Sequence, residues 1–338
     1  MADKMTEVLE QYGVHATSIT RGRGAYFCRS QEGYFKLEPF SRSEGRLERE
    51  YLVKEQLYAA GFTEIDRYCM LVAEEDALEE EPSISDRLIA ADRYRNSYVL
   101  KRHFDGHECD LKNPEEITLA MENLSHMHRI FRKSEVTPKS IENMVRHNQE
   151  LRRVRSFVSK MNPKREFELL YISLFPKFIE KALYAEQMLK ETKACFHQQR
   201  FGFCHGAYHQ HNVLIHNENE TIRVATIAFD NYHFDNQLLD VYYFTRKMLE
   251  KNHFVYDFFK SALMVYEKEN PMNQSDYTYL YLLFSYPEKF WKLSNHYMNN
   301  RKSWIPPRSI EKLEGLVTLE AEKDIFLKEF KADYGIHI

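Results

Sequence analysis

Hydrophobic and polar residues change period several times along the chain, and each change predicts an element. Between residues 14 and 40, short alternating runs are broken by Arg21-Gly22-Arg23-Gly24 and Gln31-Glu32-Gly33. AYFCR (25–29) and GYFKLEPF (33–40) predict two strands paired about a short turn. From Ser43 the period lengthens. Leu47, Tyr51, Leu52, Leu57 and Phe62 mark an amphipathic helix, and Gly61 lies just past its end as a C-cap. RYCMLVA (67–73) and SYVLKRHF (97–104) predict two further strands, joined by the acidic, loop-like EEDALEEEPSISD (74–86). After Gly106 the pattern turns helical. Asn113-Pro114-Glu115-Glu116 is a strong helix start, with Asn as N-cap and Pro at the first position, and Leu119, Leu124, Met127 and His128 continue its face. Long helical stretches follow at 138–160 and 165–198, and helices resume from about 238 to the end.

This order predicts a small strand-rich lobe over 1–102, ending in a connecting segment at 98–102, and a large helical lobe over 103–338. The composition fits that picture. Only 11 glycines and 10 prolines punctuate 338 residues, which favours a helix-rich α+β fold over a many-turned β protein. Hydrophobic residues at 43% and charged residues at 29% are ordinary for a globular chain. A formal net charge of −4 supplies no basic field for nucleic acid or an anionic membrane surface. The five cysteines (Cys28, Cys69, Cys109, Cys195, Cys204) are scattered with no CxxC pair, which points to reduced thiols. The first residues lack the apolar run of a secretory signal, and no stretch of about 18 apolar residues predicts a spanning helix. An intracellular protein is expected.

The candidate chemistry lies in two segments, CHGAYHQHNVLI (204–215) and VATIAFD (224–230). A phosphoryl-transfer loop needs a base beside the acceptor hydroxyl and a downstream amide for Mg²⁺. His205, Gly206 and Asn212 fit that frame, but Ala207 stands where the base belongs. In the second segment Ala228 occupies the metal-carboxylate position, 16 residues beyond Asn212. Asp230 shares a strand face with position 228 but lies about 7 Å further along, so it reaches the site only if the turn bends back. Upstream, Lys36 sits on a strand flanked by apolar residues, and Glu50 follows 14 residues later on a helix. They are candidates for a phosphate-holding lysine and its carboxylate partner. The bland alternative is a solvated lysine and one of several surface glutamates. Asp240 opens a helix and either caps it or pins the catalytic loop. His205, His209, His211, His216 and His233 suggest Zn²⁺ only if three or four converge; packed and polar roles explain them more simply. Aromatic and basic residues interleave over 285–306, and a helix with packed aromatics and solvated basic groups accounts for that pattern better than a nucleic-acid platform.

The two segments resemble the catalytic and metal-binding loops of aminoglycoside-phosphotransferase-like and choline-kinase-like enzymes, HGDxHxxNxL and IDF, with each aspartate replaced by alanine. Over roughly residues 8 to 335 the chain resembles the CotS-type spore-coat proteins, a branch of that superfamily. Gly33-Tyr34-Phe35-Lys36, Arg49-Glu50-Tyr51, Tyr98-Val99-Leu100-Lys101, Asp105-Gly106-His107-Glu108, Leu124-Ser125-His126-Met127-His128, HGAYHQHNVL, Leu239-Asp240-Val241-Tyr242 and SYPEKFWKLSNHY (285–297) carry the resemblance. The last is the most specific to this branch. The resemblance implies a two-lobed protein-kinase-like fold. It implies an adenine-facing hinge at 98–102 through Val99 and Leu100, Lys36 and Glu50 at the phosphates, and Asn212 as a remnant metal ligand. His205 and Asp240 would be loop-structuring residues. ATP and Mg²⁺ would be the cofactors, other spore-coat proteins the partners, and the mother-cell cytoplasm and then the spore coat the location.

A positioned base contributes roughly 10²–10⁴ in rate, and a metal ion contributes several kcal/mol of charge stabilisation. Losing both predicts a pseudokinase with a structural role. Two alternatives stand beside it. One is an active small-molecule or protein phosphotransferase, in which Asp230 substitutes or the natural chain carries acids at 207 and 228. The other is a nucleotide-binding switch without catalysis.

Overall fold

The computed structural model describes residues 2–72, 82–133, 135–218, 221–300 and 307–338. The chain forms two compact units, one of residues 1–110 with 205–232 and the other of 111–204 with 233–338. The two motif segments therefore cluster largely with the N-terminal sheet, whereas the sequence pattern placed everything after 102 in the helical part. The reason is a small sheet that stitches distant segments together.

In the first unit, α1 (Ala2–Glu10) precedes a five-stranded antiparallel sheet of β1 (Ser18–Gly22), β2 (Ala25–Ser30), β3 (Gly33–Pro39), β5 (Ser97–Arg102) and β4 (Ile89–Ala91), in that spatial order. Arg23 and Gly24, both at positive φ, make the two-residue β1–β2 turn. That is a tight hairpin of the kind right-handed strand twist favours. Phe35 and Leu37 on β3 and Leu100 on β5 join Met5, Val8, Leu9 and Tyr12 in one buried cluster. Alternation then sends Tyr34, Lys36 and Glu38 to the opposite face of β3. The helix α2 (Glu44–Ala59) follows, and Gly61 at φ +97° ends it as expected. A second sheet pairs β6 (Gly106–Glu108) with β8 (Val213–Glu218), and β8 with β9 (Thr221–Thr226). An Ile65–Thr226 bridge ties β9 to the segment after α2.

Two expectations are corrected here. Residues 67–72 form no strand. Tyr68 makes a single bridge to Lys101, and the Cys69 N–H donates to the Leu100 carbonyl. The rest of that β5 edge belongs to β4, and residues 73–81, with most of the acidic stretch, lie outside the described residues. The hinge expected at 98–102 is the interior of β5. Leu100 and Val99 pair with Leu37 and Glu38 on one side, and Ile89 and the Cys69 N–H take the other. The backbone of Val99 and Leu100 is committed to neighbouring strands and has no edge left for an adenine.

Among the described residues the second unit holds β7 (Phe201–Cys204) paired with β10 (His233–Asn236), and eight helices. These are α3 (Pro114–Ile130), α4 (Ser140–Ser159), α5 (Glu166–Thr192), α6 (Leu238–Lys251), α7 (Tyr256–Glu267), α8 (Gln274–Ser285), α9 (Glu288–Asn299) and α10 (Pro307–Asp333). Asn113 caps α3 as expected, its side chain accepting from the Glu115 N–H. The helix predicted over 165–198 stops at Thr192 because Lys193 turns left-handed, and two 3₁₀ turns follow. In α9, Phe290 stacks on Tyr171 and Phe178, Trp291 stacks on His147, and the Tyr297 hydroxyl donates to Glu168. The SYPEKFWKLSNHY segment is thus a packing element, with Lys292 exposed to solvent. Residues 301–306, the rest of the aromatic and basic stretch, lie outside the described residues. No helix among the described residues is long and apolar enough to cross a membrane.

Candidate functional site

The frame of the two motif segments is held by backbone hydrogen bonds that need no acid. His205 is fully buried. Its Nδ1 accepts the Ala207 N–H at 3.2 Å, so the ring is neutral and protonated on Nε2, which donates to the Ile227 carbonyl at 3.0 Å. The Asn212 side-chain amide donates to the Ala207 carbonyl at 2.9 Å, and the Ile227 N–H donates to the Asn212 carbonyl at 3.0 Å. Gly206 takes a positive φ of 76° to bend the loop. These bonds bring 205–212 and 227–228 together. Positions 207 and 228 nonetheless present only methyl groups.

Ala228 holds an uncommon backbone conformation. Its backbone sits at φ 63°, ψ 61°, the left-handed region. An alanine Cβ costs roughly 1–2 kcal/mol there, whereas Asn and Asp are among the residues that visit it routinely. The Ala228 N–H donates to the Asp66 carboxylate at 3.1 Å. Phe229, next in sequence, is buried with its ring 4.7 Å from that of His205.

Lys36 and Glu50 are not brought together. The Lys36 ammonium pairs with Glu38 at 2.6 Å, two residues along the same strand face. Glu50 on α2 is 1% exposed and meets other partners: Lys54 at 2.9 Å, Arg42 at 2.9 Å, the Tyr68 hydroxyl at 2.7 Å and Lys101 at 3.7 Å. Lys54, also fully buried, reaches the Asp66 carboxylate at 2.9 Å and its carbonyl at 3.0 Å. Lys101 on β5 bonds Glu38 at 2.9 Å and stands 3.9 Å from Asp66. Lys54 and Lys101 lie over the Tyr68 ring at 4.5 and 4.9 Å. Each buried cation is thus balanced by carboxylates, Lys54 by Glu50 and Asp66 and Lys101 by Glu38 and Glu50.

That balance answers the cost of burial. Desolvation alone would push the Glu50 carboxyl up, but the fields of Lys54, Lys101 and Arg42 hold it well below the usual carboxylate range. Glu38, likewise opposed by burial, is drawn down to about 2 by Lys101 and Lys36. Burial works against the Lys101 charge, yet Tyr68 and the surrounding carboxylates keep it firmly protonated.

Asp230 lies in the 3₁₀ turn after β9, and its carboxylate meets Arg42 at 2.6 Å while its carbonyl accepts from Arg46. The turn bends the residue back toward α2, where a guanidinium already holds it. Asp230 therefore does not stand in for the acid missing at 228. Of the positions that would carry metal ligands, Asn212 alone presents an oxygen-bearing side chain uncommitted to a cation, so these residues do not fit a nucleotide-bound Mg²⁺.

The remaining candidates take separate roles. His211 contacts Glu108 at 2.5 Å and His216 contacts Glu64 at 3.1 Å. Arg23, in the expected phosphate-covering turn, also pairs with Glu108. Among the described residues no group of three or more His, Cys, Asp or Glu side chains is placed to hold a metal ion. In the second unit Asp240 is fully buried in the first turn of α6, whose N-cap position is Gln237, and stands 3.3 Å from Nε2 of buried His128. Sequence reasoning missed Arg42, Lys54, Asp66 and Lys101. Lys54 was legible in principle, since it lies one helical turn from Glu50. The others meet only through tertiary structure.

No protein-family model matches the sequence, and no curated protein is similar to it at the sequence level. Solved structures are similar in fold. An aminoglycoside phosphotransferase from Alicyclobacillus acidocaldarius superposes with a TM-score of 0.80 at 13% identity, over 98% of this chain and 96% of that one. The AMP-bound spectinomycin phosphotransferase APH(9)-Ia gives 0.61 at 12% identity, covering 95% and 97%. The choline kinase LicA from Streptococcus pneumoniae gives 0.52 at 10% identity, covering 95% and 99%. At these identities the likeness is one of fold, and the chain has the two-lobed α+β fold of the aminoglycoside phosphotransferases and small-molecule kinases.

Proposed function

We propose that this protein is a kinase-fold pseudoenzyme that serves as a structural or scaffolding component of the endospore coat. The observation that carries the first part is the intact hydrogen-bonded frame of His205, Ala207, Asn212 and Ile227 with methyl groups at both acid positions. An active loop would not lack both acids, because a methyl group neither takes a proton nor binds a cation. The left-handed Ala228 adds support, since the backbone retains a shape that suits aspartate better than alanine.

The coat assignment rests on the resemblance to CotS-type proteins, whose segment most specific to that branch is SYPEKFWKLSNHY. Its partners would then be other coat proteins, and its route would run from the mother-cell cytoplasm to the forespore surface. A nucleotide-binding role without catalysis is the second reading, favoured by the AMP- and GDP-bound states of fold neighbours.

A thermal-shift titration with ATP, with and without Mg²⁺, separates these readings. A ligand at 100 times its Kd stabilises by about 2.7 kcal/mol, a shift of a few degrees in Tm for a protein of this size. The pseudoenzyme reading expects no shift at millimolar ATP. A Mg²⁺-dependent shift would favour the nucleotide-binding reading.

A further inference from the structure

We infer that the buried charge network of the first unit is a built-in latch. It holds α2 in place against β5 and the 228–230 turn without any bound ligand. In phosphoryl-transfer enzymes of the kinase type a strand lysine pairs directly with a helix carboxylate and reaches a metal-loop acid through the nucleotide phosphates and metal. Here the chain's own side chains make bridges between those same elements.

The connections run unbroken. Arg42, just before α2, donates from one nitrogen to both Glu50 at 2.9 Å and Asp230 at 2.6 Å. Arg46, in the first turn of α2, grips the Asp230 carbonyl. Glu50 passes the contact to Lys54 and Lys101, and Lys101 passes it to Glu38 on β3. Asp66 closes the circuit, taking Lys54 on one side and the Ala228 N–H on the other. Helix, strands and turn are thus cross-linked at both ends of Ala228.

Two features suit this to a permanent latch. Lys54, Lys101 and Glu50 are almost wholly removed from water, so salt screens them little. Each of the three is balanced by an opposite charge at 2.9 Å: Lys54 by Glu50 and Asp66, Lys101 by Glu38, and Glu50 by Arg42 as well. A nucleotide phosphate entering this region would disturb that balance by adding negative charge.

The inference deepens the pseudoenzyme reading, yet the two can fail separately. The test is amide hydrogen exchange on the full chain, with and without MgATP, for the wild type and for Arg42→Ala and Asp230→Asn. Peptides over 44–59 and 226–232 should be protected in the wild type and unchanged by MgATP. Arg42→Ala should speed exchange in both by about tenfold, the scale expected when one partner of a half-buried network is removed. Peptides over 25–39 should stay as they were. Asp230→Asn, which leaves the α2 side intact, should release 226–232 alone, and it keeps the test decisive if Arg42→Ala unfolds the unit. Slow exchange in α2 that appears only when MgATP is added overturns the latch, even if no ATP is consumed. So does a normal exchange pattern in both variants. ATP turnover with MgATP-independent protection would overturn the pseudoenzyme reading and leave the latch standing.

Discussion

Glu50→Gln is the sharpest perturbation of the first unit, because the sequence and the structure assign Glu50 different partners. The structure surrounds it with Tyr68, Arg42, Lys54 and Lys101, all within 3.7 Å. Glutamine keeps the shape, but its amide must turn two donors toward cations that already donate. Removing one partner of a buried pair costs roughly 3–5 kcal/mol. Lys54 keeps Asp66 and Lys101 keeps Glu38, so the lower end, about 3 kcal/mol, is expected. Lys36→Met should cost at most about 1 kcal/mol, since its pair with Glu38 is partly solvated. Double-mutant cycles then discriminate. Lys54 and Glu50 should couple by about 1.5–3 kcal/mol, and Lys36 and Glu50 by less than about 0.5 kcal/mol. Urea titration supplies the free energies, but the probe must be chosen with care. Trp291 belongs to the second unit and Trp304 lies outside the described residues, so exchange of α2 peptides should report the first. A Lys36–Glu50 coupling larger than that of Lys54–Glu50 would refute the network and restore the partnership read from sequence.

Other outcomes follow from single positions. Ala228→Gly should stabilise by about 0.5–1 kcal/mol in denaturant titration, the relief of left-handed strain exceeding the added chain entropy; a loss of stability would show the backbone is not strained there. Gly106→Ala should destabilise the β6–β8 pairing by about 1–3 kcal/mol, because a Cβ would collide with the Ile215 carbonyl, and faster exchange in 213–216 would report it. Phe290→Ala should cost about 3–5 kcal/mol by opening a cavity under α9, visible in Trp291 fluorescence. Acid stability should decline in two stages. Burial brings His103 and His147 from 6.5 down to about 4, so the unfolded chain takes up protons first and stability is lost as pH falls from 6.5 toward 4. Glu38, lowered from 4.5 to about 2, adds a second loss between those values. Melting temperatures from pH 8 to 2.5 test this, and a flat profile between 6.5 and 4 would contradict the burial of the two histidines. In a sporulating host, a fluorescent fusion should gather at the forespore surface; a diffuse signal throughout sporulation would count against the coat assignment.

The sequence reveals local features well and tertiary partnerships poorly. The β2–β3 hairpin, α2 with its Gly61 stop and the Asn113 cap of α3 all follow from period and capping chemistry, which act within a few residues. The frame of the two motif loops was legible because His205, Gly206 and Asn212 keep a spacing that the backbone itself enforces. The hinge at 98–102 was misplaced for a physical reason: an apolar run flanked by basic residues reads the same in a strand interior as at its exit. The strand expected at 67–73 shrinks to a single bridge at Tyr68 because β4, distant in sequence, takes the rest of that β5 edge. Lys101 and Asp66 had no local signal at all, since a buried lysine on a strand looks like a solvated one until its partners arrive from 35 to 63 residues away.

On the proposed pseudokinase reading, the fold persists while phosphoryl transfer does not. The most direct measurement is release of phosphate from radiolabelled ATP by the full chain at millimolar MgATP, with Lys36→Ala as the control. The account predicts a rate indistinguishable from buffer and from the variant. Mg²⁺-dependent turnover that vanishes in Lys36→Ala would contradict it.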